Sequence, residues 1–322
     1  MDEQRAAAPA VVVGVDGSGI ALRAVRWATE EAHRRGAPLR IVHVAPSADR
    51  GAAAAVRRAG SIVDLARTTA EQTSHDVEIS SVCVSGNAAP ALADAAADAQ
   101  LLVVAMGGGE RYEDIRLHST ALSVCTAARC PVAVVRGVAV VPDDGPVVLG
   151  VEHVDDDAVA VSVAFADAHR HGTGLIVVHA VHGTGLLRDH LIAHDRHSRR
   201  GAAALTAVTD ELAPWRSRYA AVPVEIRVVD LPAPGHLLQA AVGARRVVVG
   251  TRGRNLAARM VLGSTSHTVL RNAPCPVLVV RRDTQLAESA PSGGEPAPGR
   301  PVTHVPEQQR WALHPHGRRQ RW

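Results

Sequence analysis

Residues 246–282, RVVVGTRGRNLAARMVLGSTSHTVLRNAPCPVLVVRR, decide how the remaining 285 or so positions of the 322-residue chain are read. Val247–Val249 is an aliphatic run of the kind a strand buried on both faces carries. It ends in Gly250, and the glycines continue at the spacing Gly250-x2-Gly253-x9-Gly263-Ser264. The last of them opens a predicted helix, Cys275-Pro276 closes it, and Val277–Val280 is a second aliphatic strand. Glycines at a strand end and at a helix start let backbone N–H groups approach an anion, and the helix dipole favours negative charge there. Ser264 and Thr265 add hydroxyl donors. Two or three glycines are equally compatible with an ordinary strand-to-helix turn, so the surrounding order must decide between the two readings.

The same order of elements occurs earlier in the chain. Val11–Val15 runs into Asp16-Gly17-Ser18, where Ser18 is placed to cap a helix with Ala21, Leu22, Val25, Ala28 and Ala32 on its inward stripe and Gly36 as its stop. Leu39–Val44 is a second strand. A helix over 52–74 follows, with Val56, Ile62, Leu65 and Ala66 as core candidates. A strand over 77–84, a helix opened by Pro90 at its first position, a strand over 101–106, a helix over 119–129 and a strand over 132–135 complete five strand–helix units. After the turn-rich Pro142-Asp143-Asp144-Gly145-Pro146, Val147–Val151 starts the series again. A helix over 155–171 and a strand over 175–180 follow. Next come a long helix broken near Pro214, a strand over 224–229, a helix over 235–244 and the stretch quoted first. This is a tandem duplication of one α/β unit, and right-handed crossovers make each copy a doubly wound parallel sheet.

Strand, Gly-x2-Gly-x9-Gly-Ser, helix, Ala-x-Cys-Pro-Val and strand, in that order, resemble the nucleotide-binding half of a universal stress protein domain. The resemblance covers residues 11–136 and 147–282. It implies the adenine nucleotide alpha hydrolase-like fold with strand order 3-2-1-4-5, which sets the loops after strands 1 and 4 side by side, where ligands of open α/β sheets bind. It further implies ATP as the cofactor, with the glycine motif on the phosphates and an Asp of the first loop on the adenosine. The expected boundaries are a leader over 1–10, a first domain over 11–137, a linker over 138–146, a second domain over 147–282 and a disordered tail over 283–322.

Each copy keeps one half of that motif. The first copy has Asp16, Gly17 and Ser18 in its first loop, but aligning Cys130-Pro131 with Cys275-Pro276 sets Ala105 at Gly250, Gly108 at Gly253, His118 at Gly263 and Ser119 at Ser264. The second copy keeps all three glycines, while Glu152, His153 and Val154 replace Asp16, Gly17 and Ser18. Phosphate affinity depends most on backbone donors at a helix start, so the second copy ranks as the ATP site. By resemblance its contacts are Gly250, Arg252, Gly253, Gly263, Ser264, Thr265, Glu152 and Val178. The degenerate counterpart in the first copy is Asp16, Gly17, Ser18, Val42, Gly108, Ser119 and Thr120.

Composition narrows the remaining classes. The chain holds no lysine, which removes P-loop, Schiff-base and kinase-type lysine chemistry. At 2% aromatic residues and a net charge of +3, neither base stacking nor a basic surface argues for nucleic acid. Four cysteines without a CxxC pair suit a reduced, cytoplasmic protein, with Cys130 and Cys275 as small buried residues. The N-terminus has no signal pattern and no apolar run approaches membrane-spanning length. His43 and His179 read as satisfied core histidines. His182, His190, His194 and His197 read as a solvated helix face rather than a metal site, and no metal ligands are assigned. No triad order, GxSxG or HExxH appears, so no catalytic residue is assigned and any ATP hydrolysis is expected to be slow. The tail holds six prolines and four glycines among few aliphatics and reads as solvated. Two further readings stay open: a nucleotide-free interaction scaffold, and an ATP-using enzyme of the same fold group. The partners expected are an adenine nucleotide and the other half of the same chain, docked through the final strands as an intramolecular pseudo-dimer, with a homodimer left open.

Overall fold

The computed structural model describes residues 8–46, 53–107, 119–136, 142–181, 193–251, 262–284 and 286, the side chains of 119, 193–200 and 230 excepted. Among these residues ten strands form one sheet. They are β1 (Val11–Val15), β2 (Leu39–Ala45), β3 (Ile79–Ser85), β4 (Leu101–Met106), β5 (Val132–Arg136), β6 (Val147–Val151), β7 (Leu175–Val181), β8 (Val224–Asp230), β9 (Arg246–Gly250) and β10 (Val277–Val280). Their spatial order is β3-β2-β1-β4-β5-β10-β9-β6-β7-β8, which is 3-2-1-4-5 in each half. All pairs are parallel except β5 with β10. The helices are α1 (Gly19–Arg35), α2 (Ala53–Thr73), α3 (Ala88–Ala95), α4 (Ser119–Ala127), α5 (Ala158–His171), α6 (Ala193–Glu211), α7 (Ala213–Arg218), α8 (Ala233–Ala240) and α9 (Ser264–Asn272).

The wholly aliphatic strands follow from burial on both faces. Val11, Val13 and Val15 pack with α1, α2 and α5 on one side, while Val12, Leu102 and Val104 pack with α3, α4, α8 and α9 on the other. Each of these two cores runs through both halves of the sheet. Three expected details differ. Val56 and Leu65 of α2 are 65% and 50% exposed, because the inward stripe is carried by Ala59, Ala66, Thr69 and Ala70 instead. Pro90 is the third residue of α3 rather than the first, with Asn87 capping. Helix α5 begins at Ala158, one turn later than expected, and α8 begins at Ala233.

Strand β10 pairs with β5 as Val277↔Val134, Leu278↔Ala133 and Val279↔Val132. Leu278 and Ala133 are counterparts in the two halves, so an internal pseudo-twofold axis passes through their pair. Both strands would otherwise be bare aliphatic sheet edges. The axis repeats further contacts: Arg136 Nη1 donates to Leu270 O, and its counterpart Arg281 donates to Thr126 O. Each guanidinium thus meets carbonyls at the last turn of the other half's helix, where the dipole favours a cation. Beyond β10, Thr284 is buried and its Oγ1 accepts from Arg281 N at 2.9 Å, so the packed chain reaches into the segment assigned to the tail. The rest of that tail, like the leader, lies outside the described residues apart from Leu286.

A charged cluster lies buried between the halves. Glu31 and Arg35 of α1 face their counterparts Asp167 and His171 of α5. Arg246, at the start of β9, enters between them, with Nη2 2.5 Å from Glu31 Oε1 and Nε 3.1 Å from Asp167 Oδ2, and its guanidinium lies 5.0 Å from the Trp27 ring centre. The counterpart of Arg246 in the first half is Leu101, so β4 sends no matching guanidinium into this centre, while Arg35 of α1 reaches both carboxylates, 3.3 Å from Glu31 and 3.5 Å from Asp167. Burial alone would raise the Glu31 pKa, but Arg246 with His171 and Arg35 outweighs it and holds the carboxyl well below its usual range. Burial lowers the pKa of His171 and favours its neutral form.

Both groups have folded pKa values below their unfolded ones, and both signs agree. The stability they contribute is present above the unfolded values and is lost as protons bind to the unfolded chain first. The melting temperature is therefore expected to fall from about pH 6.5 downward, first through His171 and further below about pH 4.5 through Glu31. A His171→Gln variant should lose the upper part of that decline in a calorimetric pH series. An unchanged profile would remove His171 as its source.

Candidate functional site

The carboxyl ends of β6 and β9 open into a cavity of about 250 Å³ in the second half. Its wall includes Gly150, Glu152, Asp157, Val178, Gly250, Gly263, Ser264 and Thr265. The parallel register explains the convergence: β6 lies between β7 and β9, so Gly150 is flanked by Val178 and Val249. The phosphate-type turn and the acidic first loop are thereby neighbours, although about 100 residues separate them in sequence.

Two backbone clamps shape the glycine turn. Gly263 N donates to Thr251 O at 3.0 Å, which closes the base of the intervening loop. Ser266 Oγ donates to Gly250 O at 2.6 Å, which ties α9 to the end of β9. Gly263 caps α9 with φ −60° and makes no side-chain cap bond. Its conformation is one that any residue adopts, so backbone freedom does not require glycine at this position beside the cavity. Gly250 is different: a Cβ there would stand 2.9 Å from Asp157 Oδ1.

Asp157 is the residue that sequence reasoning missed. In the first half Asp16 Oδ1 accepts from Ser18 N at 2.9 Å, Ser18 Oγ accepts from Ala21 N at 3.2 Å, and α1 starts at once. Gly17 sits at φ +86°, with Ile62 of α2 only 2.9 Å from the place a Cβ would take, so that turn requires glycine. The second half has His153 and Val154 there. Val154 cannot cap and is buried in the core, so the chain makes an extra turn before α5. That turn brings Asp157, at the end of the Asp155-Asp156-Asp157 run, under the loop. Its Oδ2 accepts from Glu152 N at 3.1 Å. Burial pushes its carboxyl pKa up, against the lowering effect of the backbone N–H groups of Glu152 and His153. The run of three aspartates was the available signal. Ser266, Ala180, Leu231, Ala233 and Leu237 also line the cavity and were not anticipated.

The remaining sequence candidates divide plainly. Asp16, Gly17 and Ser18 follow the carboxyl end of β1, and Val42 lies in the middle of β2 beside Gly14. Thr120 is half-buried in α4. Arg252, Gly253, Gly108, His118, His182 and His190 lie outside the described residues, as do the side chains of Ser119, His194 and His197. His43 is satisfied, its Nδ1 2.8 Å from Val15 O. His179 departs from the expectation: its buried Nδ1 faces the Val151 backbone without reaching hydrogen-bond geometry, and burial lowers its pKa. Cys125, Cys130 and Cys275 are buried and their thiols are pushed up to about 12, so none is a thiolate at neutral pH, whereas Cys83 is exposed on β3. Among the described residues one trio of metal-ligand types converges, Glu31, Asp167 and His171. The Arg246 guanidinium already supplies the cation there. No helix among the described residues is long and apolar enough to cross a membrane.

Comparison with known proteins agrees with this architecture. The Universal stress protein family model matches residues 9–136 and 145–281. A universal stress protein of Mycobacterium tuberculosis (strain ATCC 25618 / H37Rv) is 32% identical over 289 residues, covering 84% of this chain and 97% of its own length. One from Mycolicibacterium smegmatis is 32% identical over 291 residues, covering 84% and 96%. Among solved structures, a universal stress protein from Archaeoglobus fulgidus shares the fold with TM-score 0.63 at 16% identity, over 85% of this chain and 98% of that one. A tandem repeat of the 3-2-1-4-5 sheet, matched twice by one family model, leaves a single assignment: the chain belongs to the universal stress protein family.

Proposed function

We propose that the protein is an adenine-nucleotide binder, with ATP held in the second-half cavity, and that it acts as a nucleotide-responsive stress protein in the cytoplasm. The observation that carries this reading is the convergence of Gly250, Gly263, Ser264, Thr265 and Glu152 on one cavity at the carboxyl ends of adjacent parallel strands. An α9 N-terminus and a glycine-edged strand end together supply backbone donors for phosphate. At about 250 Å³ the cavity lies near the lower end of small-molecule sites, which suits the nucleoside or the phosphate end with the remainder toward solvent. The role is binding and not rapid turnover. Domain boundaries near residues 137 and 147 belong to the same proposal.

A second reading, a nucleotide-free scaffold, draws on Asp157, an acidic group in the wall of a site meant for an anion. Equilibrium dialysis of the purified chain against ATP separates the two, because the proposal expects retention with a micromolar Kd and the scaffold expects none. An accompanying phosphate-release assay should show at most slow hydrolysis; many turnovers per second would make the protein an enzyme.

A further inference from the structure

We infer that Asp157 determines which nucleotides the second-half cavity accepts, by penalising a free polyphosphate relative to a monophosphate or a magnesium-chelated triphosphate. The inference rests on the nucleotide reading of the cavity and adds the selection rule. Three observations lead to it. First, Asp157 lines the same cavity as Gly263, Ser264 and Thr265, so its charge and the phosphate donors share one space. Second, its carboxylate is fixed there: Oδ2 is held by Glu152 N, it makes no cap bond to α5, and Oδ1 occupies the room that Gly250 leaves free. In the first half the counterparts of Asp157 and Gly250 are Ala21 and Ala105. The second half has thus exchanged a methyl group on the sheet for a carboxylate beside it, and Gly250 has a structural cause independent of phosphate. Third, among the described residues no cation stands within ion-pair distance of Asp157. Arg282, whose charge acts on Asp157 from beyond that distance and lowers its pKa, is paired with Asp156 at 2.6 Å. The other charged or titratable groups about the loop are Glu152, His153, Asp155 and Asp156.

A half-buried carboxylate without an ion-pair partner interacts with a nearby charge more strongly than an exposed one, because less water screens it. The penalty grows with the charge of the ligand tail, so it is largest for free ATP, smaller for AMP and reduced for ATP carrying a divalent cation. Calorimetric titration of the full-length chain with AMP, with ATP in EDTA and with ATP in excess magnesium tests this. The titrations are run at pH 8, well above the ordinary carboxylate range, because burial raises the Asp157 pKa. The wild type is expected to bind free ATP more weakly than the magnesium chelate by about tenfold. Asp157→Asn, which keeps the acceptor for Glu152 N, should tighten free ATP by about the same factor and change AMP by less than about threefold. Asp157→Ala, the first half's own residue, should reproduce the effect if Asn disturbs the loop. Equal shifts for all three ligands, or a wild type that prefers free ATP, would overturn the inference while leaving the nucleotide site intact. If no nucleotide binds to wild type or variants, the underlying reading fails and the selection rule with it.

Discussion

Arg246→Met is expected to lower the unfolding free energy by about 3–5 kcal/mol, the usual cost of removing one partner from a buried ion pair. Arg246 is 1% exposed and is the most deeply buried of the guanidinium groups that meet Glu31 and Asp167, themselves 1% exposed. Its removal leaves two carboxylates facing one another across the interface of the two halves. Arg35 remains 3.3 Å from Glu31 and 3.5 Å from Asp167, and Arg170 lies 3.4 Å from Asp167, so the loss should fall toward the lower end of that range. Methionine fills much of the volume, which keeps a cavity term small. At roughly 2–4 °C per kcal/mol for domains of this class, the melting temperature should drop by about 6–20 °C. The triple variant Glu31→Gln, Asp167→Asn, Arg246→Met should recover part of the loss and not all of it, because the two facing carboxylates are neutralised while Arg35 and Arg170 lose their partners. A single Arg246→Met variant as stable as wild type would show that Arg35 and Arg170 suffice and that Arg246 is not the centre of the cluster.

The second large effect is expected on binding. Replacing Gly253 and Gly263 together by valine should abolish ATP binding by the whole protein. Gly263 borders the cavity at the N-terminus of α9, and a branched side chain there would stand between the ligand and the backbone donors. Losing two or three charge-assisted hydrogen bonds at about 1.5–3 kcal/mol each removes roughly 3–9 kcal/mol. A micromolar site has only about 8 kcal/mol in total, so the affinity should fall to millimolar or vanish. Gly263 has ordinary helical-entry dihedrals, so the fold should tolerate the change, and a circular dichroism melt within a few degrees of wild type would separate lost binding from lost structure.

Much of this molecule was legible because its strands are buried on both faces. Runs such as Val11–Val15 and Val277–Val280 have no polar alternation to mislead, and glycine stops such as Gly36 and Gly172 take the left-handed conformation that ends α1 and α5. The repeat followed from these runs, whereas the strand order within each half and the β5–β10 seam came from the family resemblance. Side-chain facing on α2 was not legible, since its buried stripe consists mainly of alanines and a threonine, and the larger Val56 and Leu65 pointed the reading to the wrong face. The buried cluster was hidden because Glu31, Asp167, His171 and Arg246 look like ordinary surface residues until the pseudo-twofold axis brings α1 and α5 together. Asp157 was missed for a local reason: with Val154 in place of Ser18 the helix starts a turn late, and one more acidic loop residue swings into the cavity.

The central claim is that the second half alone holds nucleotide. Isothermal titration of ATP and magnesium into wild type, the Gly253→Val/Gly263→Val variant and Asp16→Ala tests it most directly. Asp16 is exposed and its carboxylate is spent on Ser18 N, in a half whose motif carries Ala105 in place of the first glycine. The account predicts one nucleotide per chain, lost in the double valine variant and kept with little change in Asp16→Ala. Binding that survives the double valine replacement but disappears with Asp16→Ala would place the site in the first half and contradict it.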